Sequence, residues 1–169
     1  MSSAHRICIA LLLCVFSSGY DAVSAQASDD LAATVAAAKG MLKRHSGLPL
    51  KLNPMLMMAR QAPPDLASQQ PRLGALSTAL STSLNATLDE VDAVLLCPAG
   101  PRTCRLNGAS VYLSMSNPTI LGDTASVTVT ALFNSGSKRQ PVGYETVEFT
   151  LLRSGRIWKV LKQVQLGIS

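Results

Sequence analysis

The stretch Ala125-Ser-Val-Thr-Val-Thr-Ala-Leu-Phe133 alternates Val127, Val129, Ala131 and Phe133 with the hydroxyl-bearing Ser126, Thr128 and Thr130. A period of two sends successive side chains to opposite faces, so this is the pattern of a half-buried antiparallel strand. Further on, Tyr144-Glu-Thr-Val-Glu-Phe-Thr-Leu-Leu152 does the same, with Val147, Phe149 and Leu151 set against Thr146, Glu148 and Thr150. A third run, Ile157 to Leu166, places Trp158, Val160, Val164 and Leu166 on one face, interrupted by Lys162. The turn-forming stretches Asn134-Ser-Gly136 and Ser154-Gly155 separate these runs. Ser110–Met115 and Ala93–Leu96 extend the series upstream, giving five expected strands in a meander.

Before Asp92 the period is that of helices. Asp29 and Asp30 open a segment in which Leu31, Val35, Ala38 and Leu42 recur every three or four residues. Lys43, Arg44 and His45 close it ahead of Gly47, with His45 expected to cap the helix end. Acid at the start, base at the end and a trailing glycine are what the helix dipole and its caps favour. Asn53-Pro54 opens a short methionine-rich helix, Met55 to Ala59, which Pro63-Pro64 ends. Its methionines read as core filler. Leu73, Leu76, Leu80 and Leu84 then mark another helix, with Gly74, Ala75 and Ala79 on its face. Helices followed by an antiparallel meander make an α+β domain in which the helices cover one face of a bent sheet of about five strands.

The amino terminus has the form of an export signal. His5 and Arg6 precede the apolar run Ile7 to Phe16, and Val23-Ser24-Ala25 supplies small residues for cleavage after Ala25. The apolar run is about half of the ~20 residues that a membrane-spanning helix requires. Residues 1–25 are therefore expected to be a signal peptide, and 26–169 a single domain delivered to a secreted or periplasmic location. The net charge of +5 keeps such a domain soluble and favours anionic surroundings. Its core must be aliphatic, because aromatics are only 4% of the chain.

Removing the signal leaves Cys97 and Cys104, an even pair in an oxidising compartment, which reads as one disulfide closing a proline-stiffened loop. His45 is the sole histidine outside the signal, so no metal site and no cofactor are expected. Phosphate loops and aromatic-basic nucleic-acid surfaces are absent from the sequence, and nucleic acid is not an expected partner.

The runs Asp123 to Ala131 and Tyr144 to Gly155, followed by Ile157-Trp-Lys-Val160, resemble the last three strands of the nuclear transport factor 2-like (cystatin-like) superfamily. In that superfamily a hairpin ends in a glycine-containing turn and the last strand carries a tryptophan. The resemblance covers the last third of the chain well and implies a cone-like sheet. It also implies two classes of activity: binding and assembly domains, and isomerase-like enzymes that set a base against an oxyanion donor inside the cone. For the latter, Asp92, Asp123, Glu145 and Glu148 are candidate carboxylates, and Tyr112 and Tyr144 are candidate pocket phenols.

In a simple meander the loops 97–104 and 134–142 fall at one end of the sheet. Arg102, Arg105, Lys138 and Arg139 would then converge as a candidate binding site for an anion. The expectation drawn from all this is a non-enzymatic domain that binds a protein or small ligand, with an anionic envelope component among the candidates. A small isomerase- or cyclase-like enzyme and a structural envelope component are the alternatives.

Overall fold

A computed structural model describes residues 27–53, 66–88, 95–96, 105–106, 108–135 and 141–168. The expected export signal, the methionine-rich segment, Cys97, Cys104, Asp92, Arg102, Lys138 and Arg139 lie outside the described residues.

Helix α1 spans 27–44 and α2 spans Leu66–Leu84. The strands are β1 (Leu50–Leu52), β2 (Thr87–Leu88), β3 (Leu95–Leu96), β4 (Arg105–Leu106), β5 (Val111–Met115), β6 (Thr119–Leu121), β7 (Thr124–Asn134), β8 (Val142–Ser154) and β9 (Ile157–Ile168). The main sheet runs β2-β1-β5-β7-β8-β9, with β6 also paired to β7. From β5 onward the pairing is antiparallel, as the alternation predicts. The other edge is parallel: β1 lies between β5 and β2, and α2 is the crossover from β1 to β2. The result is an α+β fold with a bent, mixed sheet.

The expected five-strand meander is corrected at its first member. Leu95–Leu96 pairs with β4 in a separate two-stranded sheet and does not join the main one. That small sheet lies against the sheet face turned away from the helices, where Leu106 packs with the fully buried Tyr112 and with Leu132 and Val142.

Hydrophobic burial drives the helical side. Val111, Leu113 and Met115 of β5, Val127, Val129 and Ala131 of β7, and Val147, Phe149 and Leu151 of β8 are buried in the core that also receives α1 and α2. The core takes Ala33, Ala37, Ala38 and Met41 from α1, all fully buried, and the buried Leu76 and Leu80 from α2. The small side chains let α1 sit low on the sheet. The closest approach is at Gly40, where an added Cβ would stand 2.7 Å from Cε1 of Phe149 and 3.3 Å from Cγ2 of Val160. Gly47 ends this segment at φ +94°, the left-handed backbone that glycine adopts without strain.

β9 also departs from its expected face. Two register shifts against β8, at Thr146/Val147 and Thr150/Leu151, leave Leu166 and Leu161 as extra residues on the β9 side. Val160 therefore opposes Leu151 on the helical side, whereas Val164 opposes Glu148 on the other face. Gln163 and Gln165, opposite Phe149 and Val147, turn toward the helices in their place.

A candidate binding groove between the first helix and the edge strand

Helix α1 carries more apolar surface than the sheet covers. Leu31, Ala32, Val35 and Ala36 are only partly buried and form a second stripe beside the Ala33–Ala37–Met41 face. This stripe becomes one wall of a groove of 690 Å³, whose other wall is the start of β9 and whose end is formed by Ala79 and Ser83 of α2.

The floor is Trp158, buried at 5% exposure as its place on the last strand predicts. Its Nε1 is buried and has no hydrogen-bond partner among the described residues. The Arg153 guanidinium lies 5.4 Å from the ring centroid, within reach of a cation–π contact. Arg153 also donates to Asp29 at 2.6 Å and to Asp123 at 3.1 Å. Asp123 is thereby assigned to a turn ion pair, and the start of α1 is tied to the β6–β7 corner.

Four cations line the groove: Lys39 and Lys43, one turn apart on α1, and Arg156 and Lys159 flanking Trp158. None of the described lining residues is acidic. An apolar floor under a purely cationic rim has the chemistry of a site for an amphipathic anion.

The other end of α1 is fastened differently from the expected cap. His45 Nε2 lies 3.0 Å from Oε2 of Glu145, and the Arg44 guanidinium donates through Nε (2.9 Å) and Nη2 to Oε1. Arg44 also donates to the side-chain oxygens of Gln163 and Gln165, so the bulged strand serves this cluster. Phe133 packs against the imidazole at a centroid distance of 4.6 Å. Burial alone would push the Glu145 carboxyl up, but the Arg44 hydrogen bonds and charge, together with His45, outweigh it and hold the group below its ordinary value. With both oxygens engaged, Glu145 is a poor proton acceptor for a substrate.

The candidate pocket phenols are on the far side of the sheet from Glu145. Tyr112, Leu132 and Tyr144 stand in one cross-strand row, Tyr112 buried and Tyr144 41% exposed. Glu145, next to Tyr144 along the strand, faces the helices and the Arg44–His45 pair. Glu148 accepts a hydrogen bond from Ser126 Oγ at 2.7 Å.

Of the four candidate binding cations, Arg105 is described and is exposed on β4. The Asn134 carboxamide accepts from the Leu106 N–H at 2.9 Å and donates to the Gly108 carbonyl at 2.8 Å. The chain following loop 97–104 thus meets the start of loop 134–142. The groove itself was legible only as excess: α1 is apolar around much of its circumference, with Lys39 and Lys43 at i, i+4. No protein-family model, curated protein or solved structure matches this chain.

Proposed function

We propose that this chain is an exported, non-enzymatic binding domain whose α1–β9 groove holds an amphipathic anion. The observation that carries this reading is the pairing of an apolar interior, the Leu31 and Val35 wall beside the Trp158 floor, with a rim of Lys39, Lys43, Arg156 and Lys159 that no described lining carboxylate neutralises. The nuclear transport factor 2-like resemblance of the last three strands is part of the proposal, and helices over one face of an antiparallel β5–β9 region are compatible with it. Delivery by cleavage after Ala25, and a Cys97–Cys104 disulfide in the delivered protein, belong to the same reading. The engagement of Glu145 by Arg44 and His45 argues against the isomerase-like alternative.

Trp158 is the chain's single tryptophan and lines the groove, so its fluorescence reports occupancy. Titration with dodecanoate and dodecyl phosphate should give a saturable change, with dodecanol binding at least tenfold more weakly. A Lys39→Glu/Lys43→Glu variant should lose about tenfold or more in affinity, and salt should weaken the native protein as exposed charges are screened over ~8 Å. An equal response to dodecanol, or none to either anion, would overturn the reading.

A further inference from the structure

β9 ends the main sheet and, among the described residues, pairs with β8 alone. Its twelve residues therefore leave one backbone edge unpaired by the described strands, and such an edge is a template for another strand. The groove lies on that edge. Ile157, Trp158, Lys159 and Val160 of β9 all line it, although successive residues of a strand point to opposite faces. A cavity on one face of the sheet would touch only alternate residues, so this one wraps around the border of the strand itself.

The two faces at that border have different chemistry. Trp158 and Val160 face the helices, under Leu31 and Val35 of α1. On the other face stand Lys159, opposite Leu152, and Lys162, opposite Thr150. Exposed Ile157 and Leu161 extend the edge apolar surface. Between Ile157 and Ile168 the strand has two lysines and no acid. Pairing with a second copy would bring four lysines together with no carboxylate from either strand, which disfavours a homodimer through this edge.

Resting on the groove-binding reading above, we propose that the occupant is an extended peptide of alternating apolar and acidic residues, added as a further strand along β9. Its apolar side chains enter the groove beside Trp158 and Val160, its carboxylates meet Lys159 and Lys162, and its backbone takes the edge hydrogen bonds. Backbone pairing supplies affinity, and the alternation supplies register.

The test uses the exported protein with three probes: the capped peptide Val-Glu-Val-Asp-Leu-Glu, a peptide of the same composition with its apolar and acidic residues in two blocks, and alternating peptides N-methylated at every second residue in each of the two phases. Trp158 fluorescence reports occupancy, and amide hydrogen exchange reports pairing at β9. The alternating peptide should saturate the groove and slow exchange between Ile157 and Val164. The block peptide, one N-methylated phase and a Lys159→Glu/Lys162→Glu variant should each lose about tenfold or more in affinity. Occupancy without β9 protection would overturn strand addition and leave the groove reading standing. No peptide binding while dodecanoate still binds would overturn the peptide class alone, and binding of neither would sink both. A peptide-free dimer already protected at β9 would give the edge to a second copy and overturn the proposal.

Discussion

His45 and Glu145, a hundred residues apart in sequence, meet with Nε2 of the imidazole 3.0 Å from Oε2 of the carboxylate. Arg44, adjacent in the chain, takes the other oxygen. Fifteen residues earlier, Asp29 is held by Arg153. The helix is thus tied at its acidic start and at its basic end, and both ties respect its dipole. Between them α1 is held low on the sheet at Gly40 and presents its spare apolar stripe to the groove.

The Glu145 cluster should make stability depend on acid. A carboxyl held below its ordinary value of 4.5 contributes stability that is present above that pH and lost as the pH falls through the folded value. Urea denaturation of the native protein should show a steeper loss below pH 4.5 than Glu145→Gln shows. At pH 7 the variant should be destabilised by about 1–3 kcal/mol, the cost of a charged hydrogen-bond partner lost in a mostly buried site. Parallel acid limbs for the two proteins would refute the assignment.

Gly40→Ala separates two opposing effects. Helix propensity favours alanine by about 1 kcal/mol, whereas overpacking against a buried ring costs typically 1–3 kcal/mol. With the new Cβ 2.7 Å from Phe149 Cε1, overpacking should win and the melting temperature should fall. Phe149→Leu in the same chain should recover part of the loss, because the obstructing ring atoms are gone. A stabilised single variant would show that the helix can rise off the sheet.

Trp158 is buried, and its Nε1 makes no hydrogen bond among the described residues, so its contribution is chiefly packing. Trp158→Ala should cost roughly 3–5 kcal/mol. Trp158→Phe keeps an aromatic floor and leaves only a small cavity, and should cost clearly less, about 1–2 kcal/mol. Equal destabilisation by the two changes in chemical denaturation would mean that the indole ring itself, with Arg153 over it, is required.

The cysteine pair is tested on exported protein. Its amino terminus should begin at Gln26, and alkylation without reductant should leave Cys97 and Cys104 unmodified. Cys97→Ser/Cys104→Ser should lose on the order of 2–3 kcal/mol of stability, the loop-entropy value for so short a bridge. Free thiols in the native protein, or an intact Met1 in the soluble exported fraction, would contradict the corresponding assignment.

Period and punctuation in the chain determined the elements. Val127, Val129 and Ala131 alternate with Ser126, Thr128 and Thr130 because one sheet face is covered and the other is more open, and that local record is enough to read β7, β8 and α1. The same is true of Gly47, whose left-handed backbone ends the helix segment where the basic residues accumulate. What alternation records is a face, never a neighbour. Leu95 and Leu96 look like any other strand, and only tertiary pairing sends them to Arg105–Leu106 instead of the main sheet. The β9 bulges escape for a related reason: an inserted Leu161 or Leu166 inverts the faces beyond it, and nothing in a single strand announces the insertion. The groove and the Glu145 cluster required still more. Lys39 and Lys159, or His45 and Glu145, converge because packing brings distant segments together, the first pair across an open groove and the second in a site largely closed to water.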